Sequence, residues 1–146
     1  YHYPANLFVA EFVGNPPINI LPGKVALGQE SVVQCRGFSL PLGNSKGLKN
    51  DEEVMVAVRA EDVLVGQPEE SGSITFTVYS VLPTGGETLI RLRRGDTFMT
   101  AKIDGSIRLD IDSTVGLKVR TERLLVYGKE NGELLQDVPE GQEAWV

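Results

Sequence analysis

From about residue 20 onward the apolar residues of this chain alternate with polar ones, and glycine-bearing turns break the alternation at short intervals. Period-two patterning puts every second side chain on one face, which confines the chain to strands with one buried side. Residues 20–27 and 31–38 read as short strands parted by Gly28 and Gln29. Residues 42–53, LGNSKGLKNDEE, are polar and glycine-containing, the composition of a solvated, mobile loop. Residues 54–58 alternate valine with smaller side chains as a buried strand leading to Arg59, and 63–65 read as a short continuation.

The second half is more regular. Ile74, Phe76, Val78, Ser80 and Leu82 share one face of a strand, with Thr75, Thr77 and Tyr79 opposite. Gly85 and Gly86 supply the positive φ of a tight hairpin turn, and the chain returns with Ile90 and Leu92 on one face and Arg91 and Arg93 on the other. Gly95-Asp96 turns again into Met99, Ala101 and Ile103; Asp104-Gly105 turns into an expected strand of Ile107, Leu109 and Ile111. Val115, Leu117 and Val119 alternate in the last long strand, Leu124 to Tyr127 form a shorter one, and Asn131-Gly132 turns it towards Leu134. Short strands with turns between them predict an all-β barrel or sandwich.

One segment departs from this period. Ala5, Phe8, Val9, Phe12 and Val13 fall at offsets 0, 3, 4, 7 and 8, one apolar face of a helix. Pro4 suits its first turn, Gly14 its close, and Pro16-Pro17 cannot continue it. So short a helix does not stand alone in water and is expected to dock on the strands C-terminal to it.

Apolar content of 41% and charge of 23% are those of an ordinary soluble domain, and 146 residues suffice for a sizeable core. The chain starts at Tyr1 without a methionine and is expected to be a piece of something longer. No apolar run approaches the ~20 residues of a membrane span, and no signal peptide is visible. The single cysteine, Cys35, excludes an internal disulfide and suits a reducing compartment. The net charge of −6 argues against a nucleic-acid binder. Its distribution is uneven: residues 73–128 carry 8 basic and 6 acidic side chains, while both flanks are acidic.

No catalytic constellation emerges. His2, the one histidine, sits at the extreme N-terminus, and one histidine with one cysteine cannot assemble a zinc site at normal ligand spacing. Cys35 reads as a small core residue in mid-strand. No stretch fits the phosphate-binding pattern G-x-x-x-x-G-K-[ST]. Arg94-Gly95-Asp96 reads as turn chemistry. Asp104, Asp110 and Asp112 miss the calcium-loop spacing and read as the solvent face of a strand. Arg91, Arg93 and Arg94 near Tyr79 and Phe98 form a basic face of the kind barrels offer to oligonucleotides, although aromatic content is only 7%.

Three motifs carry a family resemblance that spans nearly the whole chain. The pattern P-A-N-x-F-V-A-x-F-V-G-x-P-P-x-N at residues 4–19 resembles the junction in ATPase subunits of bacterial ABC importers of the maltose type. There it joins the nucleotide-binding domain to the C-terminal regulatory (TOBE) domain. Val58-Arg59-Ala60-Glu61-Asp62 is similar to the family's V-R-P-E-H, with Ala60 and Asp62 replacing proline and histidine, so a looser turn is expected. The run from 72 to 135, ending L-V-Y-G-K-E-N-G-E-L, resembles the family's closing strand and turn.

The resemblance narrows the fold to OB-like, MOP-like small barrels with one short N-terminal helix. Composition divides the chain into a docking segment (1–18), two β subdomains (19–66 and 67–138, parted at the turn-rich 67–72) and a flexible tail (139–146) that holds Trp145. The resemblance implies a non-catalytic regulatory and dimerisation domain of the ATP-binding subunit of an importer for sugars or glycerol-phosphate. It places that subunit in the cytoplasm, against the inner face of the membrane. ATP and magnesium would belong to the absent nucleotide-binding domain, with no cofactor in this chain. The implied partners are a second copy of the subunit, the membrane subunits reached through the ATPase domain, and a cytosolic regulatory protein; no nucleic acid is expected. Val13, Ile18, Ile20 and Leu21 are the expected apolar centre of a two-fold contact, with Arg59, Glu61 and Asp62 as its polar rim. An oligonucleotide-binding module and a molybdate-like oxyanion-binding domain are the alternatives.

Overall fold

A computed structural model describes residues 3–4, 18–129, 132–135 and 144–145. The expected helix, with Val13, lies outside the described residues apart from Pro4, which stands in a two-residue strand, β1 (Tyr3–Pro4). β1 pairs in parallel with β12 (Ala144–Trp145). The other strands form two five-stranded sheets. The chain divides into two compact units, one of Tyr1–Val58 with Thr121–Val146, the other of Arg59–Arg120.

The sheet of the first unit runs β11 (Leu125–Gly128), β5 (Glu53–Arg59), β2 (Ile18–Ala26), β3 (Val32–Gln34), β4 (Ser39–Pro41). Its core includes Val25, Val33, Leu40, Val54, Val56 and Tyr127, all fully buried. Ile18 and Leu134 pack on Ala57, Leu125 and Tyr127. Where the sequence reads as one strand over 31–38, the chain forms a hairpin. Gly37 takes φ +84°, a left-handed conformation without penalty only for glycine, and the Cys35 N–H donates to the Phe38 carbonyl at 2.8 Å. Cys35 thus sits in the turn, half-buried, and not in mid-strand. The polar loop after β4 is anchored: Leu48 is buried, and the Asp51 N–H donates to Val25 O at 2.8 Å.

The second unit opens with a 3-10 turn (Ala60–Asp62) and β6 (Val63–Gly66). β7 (Ile74–Pro83), β8 (Glu87–Arg94) and β9 (Thr97–Asp104) follow as an antiparallel meander, and β10 (Thr114–Val119) lies between β6 and β7, antiparallel to both. The sheet order is β6-β10-β7-β8-β9. Its outer strands nevertheless meet, for β9 also contacts β6 and the 3-10 turn, so the sheet curls as a small barrel does. Phe76, Val78, Ile90, Leu92, Met99, Ala101 and Leu117 are buried almost completely.

Two expectations fail here for identifiable reasons. Residues 105–113 form no strand. Ile107 and Leu109 instead line a 230 Å³ hollow with Val65 and Val115, Ile111 is 54% exposed, and a turn closes on Asp112 at φ +69°. Apolar alternation served packing against strand ends, not ladder formation. Asp110 and Asp112 do face water. In β7 the register slips between Val78, opposite Leu92, and Ser80, opposite Arg91. Tyr79 is the extra residue of a β-bulge, and beyond it the faces exchange: Val81 is opposite the buried Ile90, while Leu82 is 57% exposed.

Candidate functional site

The residues expected at a subunit contact lie on both units. In the first, Leu21 is buried on β2, while Ile18 and Ile20 are half-buried. In the second, the turn that comes after Val58 places Arg59 half-exposed and Glu61 exposed, but Asp62 has 0% exposure. The Asp62 carboxylate lies 3.7 Å from Arg120 Nε, and the Arg120 N–H donates to the Asp62 carbonyl at 2.9 Å. Asp62 therefore ties the turn to the end of β10 and is no rim residue. The acidic side chain, where the motif has histidine, supplies the counter-charge for Arg120.

The exposed face of β7, β8 and β9 assembles the basic residues that the sequence singles out. The ladder sets Thr77 beside Arg93 and Arg93 beside Phe98, with Arg91 beside Thr100 two pairs along. The bulge presents Tyr79, 52% exposed, edge-on to Phe98 with ring centroids 5.1 Å apart. The Arg91 and Arg93 guanidinium carbons lie 4.8 and 5.9 Å from the Phe98 centroid. Arg93 Nε donates to Gly95 O at 2.9 Å, and Arg94 Nη1 to Thr75 O at 2.9 Å. An open cleft of about 430 Å³ lies beside them, lined by Thr75, Thr77, Tyr79, Arg93, Arg94 and Asp112. The arginines were legible in the sequence; the cleft was not, because it depends on the bulge and on the left-handed Asp112.

Burial pushes the Cys35 thiol up to about 11, which removes the thiolate a nucleophile needs at neutral pH. Among the described residues no group of three or more histidine, cysteine, aspartate or glutamate side chains is placed to hold a metal ion. No helix among them is long and apolar enough to cross a membrane.

No family model matches the chain. Curated relatives do. It is 30% identical over 145 residues to the xylose/arabinose import ATP-binding protein XacK of Haloferax volcanii, covering 94% of this chain and 37% of that one. It is 27% identical over 143 residues to an uncharacterised ABC transporter ATP-binding protein, YurJ, of Bacillus subtilis (91% and 39%). It is 24% identical over 140 residues to an sn-glycerol-3-phosphate import ATP-binding protein, UgpC 1, of Rhizobium johnstonii (94% and 37%). The chain thus spans about two fifths of the length of these relatives. Among solved structures, the cytoplasmic molybdate-binding protein ModG superposes with a TM-score of 0.59 at 18% identity, over 74% of this chain and 94% of that one. At that identity the likeness establishes the fold alone.

Proposed function

We propose that the chain is the C-terminal, OB-like region of the ATP-binding subunit of an ABC importer, the non-catalytic domain that holds two such subunits together. The observation that carries this reading is the extent of the match: relatives that import sugars or glycerol-phosphate align with more than nine tenths of the chain. In this reading the transported solute is a sugar or a glycerol-phosphate, and the subunit works in the cytoplasm against the importer's membrane subunits. ATP is handled by a part of the subunit other than this chain, which has no phosphate-loop pattern. A cytosolic regulatory protein is a further partner.

Physical features support a contact between copies. A two-fold interface uses one patch twice, so its charges must complement themselves. Arg59 and Glu61, both with side-chain surface on one short turn, meet that demand if each faces the other's counterpart. Ile20 supplies apolar area on the first unit, while the buried Leu21 and Asp62 hold their own elements in place. Sedimentation equilibrium from micromolar to millimolar concentration tests the reading. A reversible dimer is expected, weakened by Glu61→Arg; a monomer at every concentration would show that the domain decorates the subunit without pairing it.

A further inference from the structure

The cleft beside Tyr79 has features that neither packing nor subunit pairing explains. The bulge turns a large aromatic ring to solvent, and it stays 52% exposed despite its edge contact with Phe98. Arg91 and Arg93 form no ion pair among the described residues, in a chain whose net charge is −6. A guanidinium has five N–H donors, and Arg93 uses Nε on Gly95 O, which leaves both Nη groups for another acceptor. The hydroxyl-bearing side chains of Thr75 and Thr77 line the same cleft.

We propose that this cleft binds a phosphorylated sugar ring, either free or as part of a mononucleotide. Arg93 and Arg94 with the two threonines suit the phosphate, where charge-assisted hydrogen bonds are strongest. The exposed ring of Tyr79 offers an apolar face to the sugar or the base. Asp112, which also lines the cleft, can accept hydrogen bonds from hydroxyl groups and repels a bare anion. The site therefore calls for a ligand that carries both negative charge and hydroxyl donors. An oligonucleotide fits less well. Phe98 already has Arg91 over its ring, so Tyr79 is the one platform there, and successive bases have nothing further to stack on.

Calorimetric titration of the 146-residue chain with ribose 5-phosphate, AMP, inorganic phosphate and a short oligothymidylate tests the proposal. Saturable binding of ribose 5-phosphate or AMP is expected, with inorganic phosphate at least about tenfold weaker. Equal affinity for the two esters assigns the site to the free sugar phosphate, and tighter AMP assigns it to the nucleotide. Arg93→Gln and Tyr79→Ala should each weaken the ester about tenfold or more. Asp112→Asn should weaken the ester while strengthening inorganic phosphate. These side chains are exposed, so unchanged melting curves are expected to accompany the losses. Absence of ester binding, phosphate binding as tight as the esters, binding of the oligonucleotide alone, or an Arg93→Gln variant that binds normally would each overturn the proposal. A monomeric chain that still binds the ester leaves it standing, because the cleft needs no second copy.

Discussion

Cys35 shows how one turn decides the chemistry of a side chain. Placed mid-strand it would be a packing residue; at the β3–β4 turn it is half-buried, and burial alone raises its thiol from 9.0 to about 11. A shift of that size lowers the thiolate fraction at neutral pH about a hundredfold. Alkylation at pH 8 should therefore run on the order of 100-fold slower than for a free thiol, and accelerate only on unfolding. The same shift couples to stability. Between pH 9 and 11 the unfolded chain has lost this proton while the folded chain keeps it, so folding stability is full below about pH 9 and falls as pH rises towards 11. Urea titrations of the native chain and of Cys35→Ala at pH 8 and pH 11 isolate the effect. The native chain should lose up to about 2 kcal/mol more than the variant; equal losses would show that the thiol ionises freely.

At the scale of elements, the parts legible in sequence are those fixed by neighbouring residues. The β7–β8 turn is one: Gly85 takes φ +82°, as a tight hairpin requires, and the alternating buried Ile90 and Leu92 and exposed arginines of β8 lie where their period puts them. The bulge at Tyr79 was hidden, because an extra residue changes no local preference and only the partner strand reveals it. Residues 105–113 were hidden for a related reason: apolar alternation is satisfied equally by a ladder and by packing over strand ends. So was the cleft, whose lining comes from three separate segments. The turn-rich stretch at 67–72, which reads as a linker, is folded onto β10. Its Glu70 carboxylate accepts from the Gln67 N–H at 3.3 Å and lies 3.4 Å from Lys118 Nζ. That approach explains the buried Gly116, since a methyl there would collide with the Gln67 carbonyl and lie 2.8 Å from Ser73 Oγ. Gly116→Ala should cost about 1–3 kcal/mol, the usual range for overpacking. Gly28→Ala, where a methyl meets open space, is the control and should leave the denaturant midpoint unchanged. Two variants of equal stability would mean that the loop yields at little cost.

The whole molecule is nested. Arg59–Arg120 is one continuous stretch that contains every strand of its own sheet, whereas the first unit takes β2 to β5 from one side of it and β11 from the other. A reading of the chain in order places the change of subdomain at 67–72, since long-range strand pairing leaves no local mark. Nesting has a consequence for folding. A curled five-stranded sheet with Phe76, Ile90, Leu92, Met99 and Leu117 buried has the ingredients of an independent core, although a chain of roughly 60 residues is near the lower limit for folding alone. The first unit cannot be excised as one piece. Without residues after 120 it loses β11, whose Leu125, Val126 and Tyr127 are buried, each contributing on the order of 1.5–3 kcal/mol. It would also expose the β5 edge, with Ala57 no longer covered by Leu125 and Tyr127. We therefore expect the polypeptide 59–120 to unfold cooperatively on heating, with the circular dichroism of a β protein. A fragment ending at residue 120 should keep that transition and lose the rest. Amide hydrogen exchange on that fragment should find protection in β6 to β10 and little in β2 to β5. If 59–120 is unfolded in isolation, the nesting describes topology without describing stability.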